Sequence, residues 1–150
     1  MNNFYAILDE LREYLILSSF TNKVTFGEVE QVDLDKKTNF PLVHLNIEDA
    51  LIDENYIDFT VNIIAADILD ISKEQVADQF LGSNNLQDVL NSQLKVLTDV
   101  NNFFRRNDYR ESGITIVDSS RVTPFLDKFN NELAGWEGTI TLRSSMQDKC

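Results

Sequence analysis

The sequence has 150 residues, of which 43% are hydrophobic and 25% are charged, the balance of an ordinary globular protein. This length suits a single domain spanning residues 1–150, and no apolar run approaches the ~20 residues of a membrane span, so we expect no membrane contact. The net charge of -12 argues against a nucleic-acid-binding face, because such faces neutralise phosphates with clustered Lys and Arg.

The first predicted element is a helix over Asn3–Ser19. Five apolar side chains recur there at the spacing of one helix face: Phe4, Ile7, Leu8, Leu11 and Leu15. Tyr14, Ile16 and Leu17 widen this surface, so we expect the last turn to be covered on two sides. The first residues lack the basic start and small-residue cleavage site of a signal peptide, which favours assembly in a cytoplasm.

Lys23–Val32 is predicted to form a strand with a bend or bulge at Gly27, or two short strands. The polar segment Asp33–Asn39 follows. It fits either an ordinary surface turn or the tip of a long β-extension that reaches away from the body.

A long β-hairpin is predicted over Phe40–Asp67, and the rest of the chain is organised around it. Apolar residues alternate with polar ones along both arms, as in half-buried strands. The predicted core-facing residues are Val43, Leu45 and Ile47 on the first arm and Ile57, Phe59, Val61, Ile63 and Ala65 on the second. Asp53–Asn55 supplies the turn chemistry, and the first arm continues towards it through a bulge. The alternation is lost at Ile64–Ala66, where either both faces are buried or the strand ends.

Two further helices are predicted, a short one over Ser72–Leu81 and the main helix over Asn84–Arg106. Asn84 is the expected N-cap of the main helix. Its apolar stripe is Leu86, Val89, Leu90, Leu94, Leu97, Val100 and Phe104. If this helix is the spine of the core, Leu90→Ala and Leu97→Ala should each cost about 2–5 kcal/mol.

The last third of the chain is rich in strand patterns. The predicted strands are Gly113–Asp118, Arg121–Phe129 and Gly135–Arg143, with a turn at Asn130–Ala134. Pro124 cannot donate to a ladder, so its strand belongs at a sheet edge or bulge. Gly138 in mid-strand predicts a close approach by another backbone or a large side chain. The element order therefore predicts an α+β fold with two main helices packed on one face of a mainly antiparallel sheet.

The sequence contains few of the residue types that most often take part in catalysis. His44 is the single histidine and is predicted opposite the core face, in a structural or exposed role, without a guaranteed carboxylate or nucleophile beside it. Cys150 is the single cysteine and has no partner for a disulfide or a metal site. We therefore predict no catalytic residues, no cofactor and no metal.

Two groups of side chains are candidates for a site. The acidic pairs Glu48–Asp49 and Asp67–Asp70 could share a metal or a proton, but neither comes with a further ligand at a recognisable spacing. Trp136 with Phe125 and Phe129 could form a ligand platform, although a core edge or subunit contact is the favoured interpretation.

Three segments together carry a family resemblance: FPLVHLNIEDALIDENYIDFTVNIIAAD, NNLQDVLNSQLKVLTDVNNFFRR and TPFLDKFNNELAGWEGTITL. In this order they resemble tail-completion and neck proteins of phages infecting Bacteroidetes-type hosts, including crAss-like phages. With the first helix the resemblance covers Asn3–Arg143, and the tail Ser144–Cys150 falls outside it. The matched features are packing and turn patterns, not a catalytic motif.

The resemblance implies a fold like that of tail terminators and a structural role in the virion. The implied assembly is a sixfold or twelvefold ring of this chain, in the neck or at the top of the tail. Its partners would be other neck, portal or tail proteins, and DNA would pass through the centre without specific binding. The resemblance also implies that the protein is assembled in the host cytoplasm and is located in the virion. An acidic adaptor that binds a basic partner is the alternative, and a small enzyme with scattered site residues is more remote.

Two expectations about the assembly follow from the sequence. Asp33–Asn39 and Ser144–Cys150 are polar and lack a core pattern, so we expect the Lys23–Asn39 excursion and the terminal tail to cross to adjacent subunits or to the next ring. The acidity is expected to form a wall that repels DNA, with Glu48–Glu54 and Asp67–Asp70 as the candidate segments facing the lumen; plain solubility is the other explanation.

Overall fold

The computed structural model describes residues 3–27, 40–69, 85–106, 113–128 and 133–145, and these ranges contain two helices and five strands. In chain order they are α1 (Asn3–Ile16), β1 (Lys23–Phe26), β2 (Leu42–Ile52), β3 (Tyr56–Ile68), α2 (Leu86–Arg105), β4 (Ile114–Lys128) and β5 (Leu133–Ser145). The predicted short helix Ser72–Leu81 and the loop Asp33–Asn39 lie outside the described residues. The N-cap of α2 is Asn85 and not the predicted Asn84.

The strands form one sheet in the order β1-β2-β3-β5-β4. β1 pairs with β2 in parallel, and every other neighbouring pair is antiparallel. Both helices pack on one face of this sheet, so the predicted α+β class and arrangement are confirmed. The hairpin of β2 and β3 is confirmed as well, with its turn at Asp53–Asn55 and its bulge between Ile47 and Asp49.

The main core lies between the two helices and the sheet. Its buried residues from the helices and the hairpin are Ile7, Leu11, Leu15, Val43, Leu45, Phe59, Val61, Ile63, Ala65, Val96, Leu97, Val100 and Phe104. Ile114, Ile116, Ile140 and Leu142 complete it from the last two strands. The alternation read from both hairpin arms therefore does select the face that the helices cover.

The buried stripe of α2 is rotated relative to the prediction. Gln93 and Val96 are buried, whereas Leu94 is exposed and Leu90 is only partly buried. The helix crosses β3, β5 and β4, and the crossing selects which side is covered. The main-chain carbonyl of Leu90 accepts a hydrogen bond of 2.8 Å from the indole Nε1–H of Trp136.

Alanine substitutions should separate the observed stripe from the predicted one. Leu97→Ala is expected to cost about 2–5 kcal/mol because Leu97 is in the main core. Leu90→Ala should cost less than about 2 kcal/mol, since only part of its side chain leaves water on folding. Leu94→Ala is the surface control, and chemical denaturation measures all three. Equal losses at Leu90 and Leu97 would contradict this orientation of α2.

Gln93 is fully buried, and its amide nitrogen and oxygen have no hydrogen-bond partner within the described residues. An unpaired buried amide keeps its desolvation cost without compensation. Gln93→Met, which is similar in shape, is therefore expected to raise the free energy of unfolding by about 1–3 kcal/mol. Gln93→Glu should lower it, because it places a charge in the same site. A Met variant less stable than the parent would show that the amide is satisfied.

Two predictions for α1 need correction. The helix ends at Ile16 and not at Ser19, and Ile16 and Leu17 are exposed at 50% and 82%. The last turn is thus covered on one side only, since Leu11 and Leu15 are the residues that reach the core.

The loss of alternation at Ile64–Ala66 reflects burial of both faces, not the end of the strand. On the face opposite the helices a second cluster contains Phe40, Leu42, Ile64, Ala66 and Leu133. Strand β3 continues beyond this region to Ile68.

Strands β4 and β5 differ from the predicted boundaries. The two predicted strands Gly113–Asp118 and Arg121–Phe129 are parts of one strand, β4, which has a register shift between Val117 and Arg121. Leu133 and Ala134 belong to β5 and not to a turn. Pro124 is on edge strand β4, as predicted.

The close approach predicted at Gly138 is confirmed. A Cβ atom at that position would overlap with the carbonyl of Arg121 and lie 2.9 Å from Cγ1 of Val122. Strand β4 therefore runs against β5 at a distance that only glycine allows at this point.

Candidate interaction surface

The distal part of the hairpin, residues 46–56, reaches past the end of β1. β1 pairs with β2 only from Leu42 to Leu45, and the Gly27 N–H donates a final hydrogen bond of 3.0 Å to the Leu45 carbonyl. Within the described residues, no strand pairs with the outer edge of β2 from Asn46 to Ile52. Among the described strands, this part of β2 therefore lies at the edge of the sheet.

The distal hairpin combines negative charge with exposed apolar side chains. Its exposed carboxylates are Glu48, Asp49, Asp53 and Glu54. Between Leu42 and Ile68 the sequence contains no Lys or Arg. Leu51 and Ile52 are 65% and 73% exposed, although their strand is well formed. A surface of this kind, apolar at the tip and acidic around it, is typical of an interaction site.

A cluster of Tyr56, Asp58 and Arg143 lies beside the distal hairpin, on the sheet face that the helices leave uncovered. Arg143 donates two hydrogen bonds to the Asp58 carboxylate, from Nε at 2.8 Å and from Nη2 at 3.0 Å. Its guanidinium carbon lies 3.8 Å from the centre of the Tyr56 ring. The hydrogen bonds to Asp58 raise the pKa of Arg143, so the guanidinium stays charged. A hydrogen bond to Asp53 raises the pKa of Tyr56.

Sequence reasoning did not find this cluster. Asp58 and Arg143 are 85 residues apart and are cross-strand partners only because β5 lies beside β3. The alternation placed Tyr56 and Asp58 on the uncovered face, but nothing in it identifies the strand that pairs with them.

Two arginines lie near the opposite edge of the sheet, where α2 ends next to β4. Arg105 and Arg121 are exposed there, as is Asp118, whereas Arg106 lies on the side of α2 that faces Tyr14 of α1. Arg105 donates from Nε to the Asn101 side chain at 2.7 Å and from Nη2 to the Asp118 carbonyl, which joins the helix end to β4.

His44 has a structural position. It is buried on the uncovered face, with Nδ1 2.7 Å from the Thr25 hydroxyl. Because a carbonyl can only accept, Nε2–H donates to the Gly27 carbonyl, at 2.7 Å. The imidazole therefore connects β1 to β2. Of the two predicted roles, structural or exposed, the first is the one observed.

The aromatic platform is not assembled. Trp136 packs against the main core, whereas Phe125 packs against the cluster on the opposite face. Phe129 lies outside the described residues. The interpretation of Trp136 as part of a core edge is consistent with this arrangement.

The acidic pairs do not form a metal site in the part of the chain that the structure describes. Glu48 accepts a hydrogen bond of 3.2 Å from the Asn62 amide and stays exposed beside Asp49. Asp70 and Cys150 are outside the described residues. Among the residues that are described, no three His, Cys, Asp or Glu side chains lie close enough together to hold a metal ion.

Asp67 is half-buried, and burial raises the pKa of its carboxyl above the ordinary value of 3.8. Because the folded protein holds this proton more tightly than the unfolded chain, the free energy of unfolding of the wild type falls as the pH rises. The fall begins near the ordinary pKa of 3.8 and ends above the pKa of Asp67 in the folded protein. Asp67→Asn does not titrate and can still accept the Ile68 N–H, which now donates to Asp67 at 2.8 Å. We expect it to melt higher at pH 7.

The stabilisation by Asp67→Asn should disappear towards pH 3, where both proteins are neutral at this position. Melting curves at both pH values provide the measurement, with the exposed Asp49→Asn as control. A gain that persists in acid would assign the effect to something other than titration of Asp67.

No protein-family model matches the chain, and comparison with curated proteins gives no significant match. Over the described residues, neither helix is both long enough and apolar enough to cross a membrane.

Proposed function

We propose that this protein is a structural subunit of a phage virion, which forms a ring in the neck or at the top of the tail. The ring joins head to tail and surrounds the path of the DNA. The distal hairpin is the observation that carries this proposal. It exposes two large apolar side chains, Leu51 and Ile52, at the end of a well-formed strand, and it presents an edge that a neighbour can cover.

The resemblance in the hairpin, main-helix and end-strand segments supports the same role. The α+β fold agrees with what that resemblance implies. The acidity supports a DNA path that does not bind DNA, because a negatively charged wall repels phosphates over about one Debye length, roughly 8–10 Å at physiological salt. The predicted crossing of Lys23–Asn39 and Ser144–Cys150 to neighbours remains a prediction, since most of both segments lies outside the described residues.

An acidic adaptor is the second candidate, and the distal hairpin also favours it. The distal hairpin exposes four carboxylates, and the sequence has no Lys or Arg between Leu42 and Ile68. This negative charge is complementary to a basic partner protein. The two functions differ in what the chain does alone: a ring subunit associates with itself, whereas an adaptor stays monomeric until its partner is added.

Sedimentation velocity with native mass spectrometry tests the choice. At tens of micromolar and low salt we expect a discrete, closed oligomer, and negative-stain images should show a ring with an open centre. Wild type that stays monomeric up to millimolar concentration, alone and with extract of phage-infected cells, would contradict the ring.

A further inference from the structure

Among the described strands, the edge of β2 from Asn46 to Ile52 is unpaired, and it lies between an apolar surface on one face and an acidic surface on the other. We propose that this edge binds, as an added strand, an extended segment of another protein in which basic residues alternate with apolar ones. The bound segment belongs to a different protein, which takes this interface beyond the proposed ring. The edge can be filled whether or not copies of this chain associate, in a ring subunit and in an adaptor alike.

The main-chain groups of this edge point towards the place of a further strand. The Asp53 N–H donates to the Tyr56 carbonyl at 2.9 Å, so Asp53 directs its main-chain groups inward, towards β3. Because this direction alternates along an antiparallel strand, Ala50 and Ile52 direct their N–H and C=O groups outward. Within the described residues, no strand pairs with these outward groups. Extended peptides add to sheets at exposed edges of this kind.

Strand β1 pairs with only the first part of β2. Its pairing ends at Phe26, and Gly27 has a φ of 118°, a left-handed conformation that interrupts the extended strand. The sequence that follows Gly27, EVEQVD, contains three carboxylates. Pairing that segment with this edge would set like charges against Glu48 and Asp49, which is destabilising in neighbouring strands. The charges therefore favour an occupant that is basic and comes from another protein.

The helix side of the edge carries exposed apolar side chains. Ala50 points to the face that carries the helices, because it pairs with the core residue Phe59, and Ile52 follows two residues later on the same face. The Phe4 ring lies 6.1 Å from the Phe59 ring and 6.4 Å from the Phe26 ring, between their centres. The exposed fractions of Phe4, Phe26 and Ile52 are 37%, 51% and 73%. Apolar side chains of an added strand would cover these groups.

The other side of the edge is acidic. Glu48 accepts a hydrogen bond from the Asn62 amide, and Asp49 pairs with Thr60, so both carboxylates lie on the uncovered face. Both are exposed. Successive side chains of an added strand point to opposite faces, so apolar residues beside Ala50 alternate with basic residues beside Asp49. The two faces of the edge thus specify the alternating pattern of the partner.

The described arginines and lysine on the uncovered face do not offset these two carboxylates. Arg143 donates two hydrogen bonds to Asp58 and is engaged there. Arg121 belongs to β4, at the far side of the sheet, and Lys23 pairs with Leu42 at the opposite end of β2. The negative charge at the distal part of β2 is therefore complementary to basic residues of a partner.

Binding of a short labelled peptide to the full-length protein, measured by fluorescence anisotropy, tests this interface. The probe has about eight residues, enough to span the edge at ~3.3 Å each, and its lysines alternate with valines. We expect a Kd below about 100 μM at ~0.05 M salt and binding at least about tenfold weaker at ~0.5 M, because exposed ion pairs are screened. Two control peptides, one with glutamate in place of lysine and one with the lysines and valines in separate blocks, should bind at least about tenfold more weakly.

Two changes in the protein test the charge and the main chain of the edge separately. Glu48→Lys with Asp49→Lys should weaken peptide binding at least about tenfold, whereas Asp53→Lys with Glu54→Lys, the same charge change at the turn, should have little effect. Ala50→Pro removes one outward N–H without removing a bond to β3, and should also weaken binding at least about tenfold. Ala50→Val keeps that N–H and is its control. Circular dichroism confirms that each variant is folded.

Peptides N-methylated at the valines or at the lysines test the main-chain pairing without any change in the protein. Methylation at the valines blocks antiparallel addition and methylation at the lysines blocks parallel addition, so one of the two should lose binding. Undiminished binding of both methylated peptides, or of the block peptide, overturns strand addition. Undiminished binding to the Glu48 and Asp49 reversal, or no binding to the wild type, overturns the proposed occupant. A monomeric wild type that binds the peptide in the expected pattern contradicts the ring and leaves this interface standing.

Discussion

Replacing Gly135 with alanine is expected to destabilise the protein by more than about 4 kcal/mol, a loss that only a few mechanisms produce. A Cβ atom at Gly135 would overlap with the carbonyl oxygen of Ala65 and lie 2.9 Å from Cα of Ala66. Both are main-chain atoms of β3, which is held between β2 and β5. Neither strand can shift without disturbing the main core.

Chemical denaturation of Gly135→Ala measures this loss, and Gly138→Ala provides a graded comparison. The carbonyl that meets a Cβ at Gly138 belongs to β4, which pairs with no second strand among the described residues and can therefore move outward. We expect a smaller cost there. Thr139→Ala, an exposed site on the same strand, should change stability by less than about 0.5 kcal/mol. A stable Gly135→Ala protein would contradict the tight pairing of β3 with β5.

Reversing the charge at the hairpin turn is expected to slow or block passage of the genome through the ring while leaving the fold intact. Among the acidic residues expected in the lumen, Asp53 and Glu54 are exposed in the turn, whereas Asp67 is half-buried. Lysines in place of Asp53 and Glu54 would attract phosphates, and each neutralised phosphate adds affinity by releasing counterions.

DNA ejection from phage carrying Asp53→Lys with Glu54→Lys measures the effect, with Asp53→Asn and Glu54→Gln as the neutral control. Normal ejection by the lysine variant would indicate that the acidic residues serve solubility alone and are not needed for DNA passage. Titration of the wild-type assembly with duplex DNA at ~0.01 M salt, where the Debye length is about 30 Å, should show no binding. Tight binding there would contradict the non-adhesive wall and indicate a hidden basic face.

The sequence alone determined the elements whose side chains repeat with a clear period. The hairpin was predicted with its turn and with the core-facing side of each arm, because alternation has a period of two and a slip of one residue reverses every side chain. The edge position of Pro124 was predicted because proline has no backbone N–H to donate to a neighbouring strand. The close approach at Gly138 was predicted because glycine has no Cβ.

Only the tertiary structure decided which elements meet and at what rotation. The stripe of α2 includes Gln93 and excludes Leu94, because a helix with apolar residues on several sides buries the side on which the sheet lies. The pairing of Asp58 with Arg143 required the strand order, which places β5 beside β3 across 85 residues of sequence. Local periodicity predicts which face of an element is apolar, whereas charges on separate strands become neighbours only when the sheet is assembled.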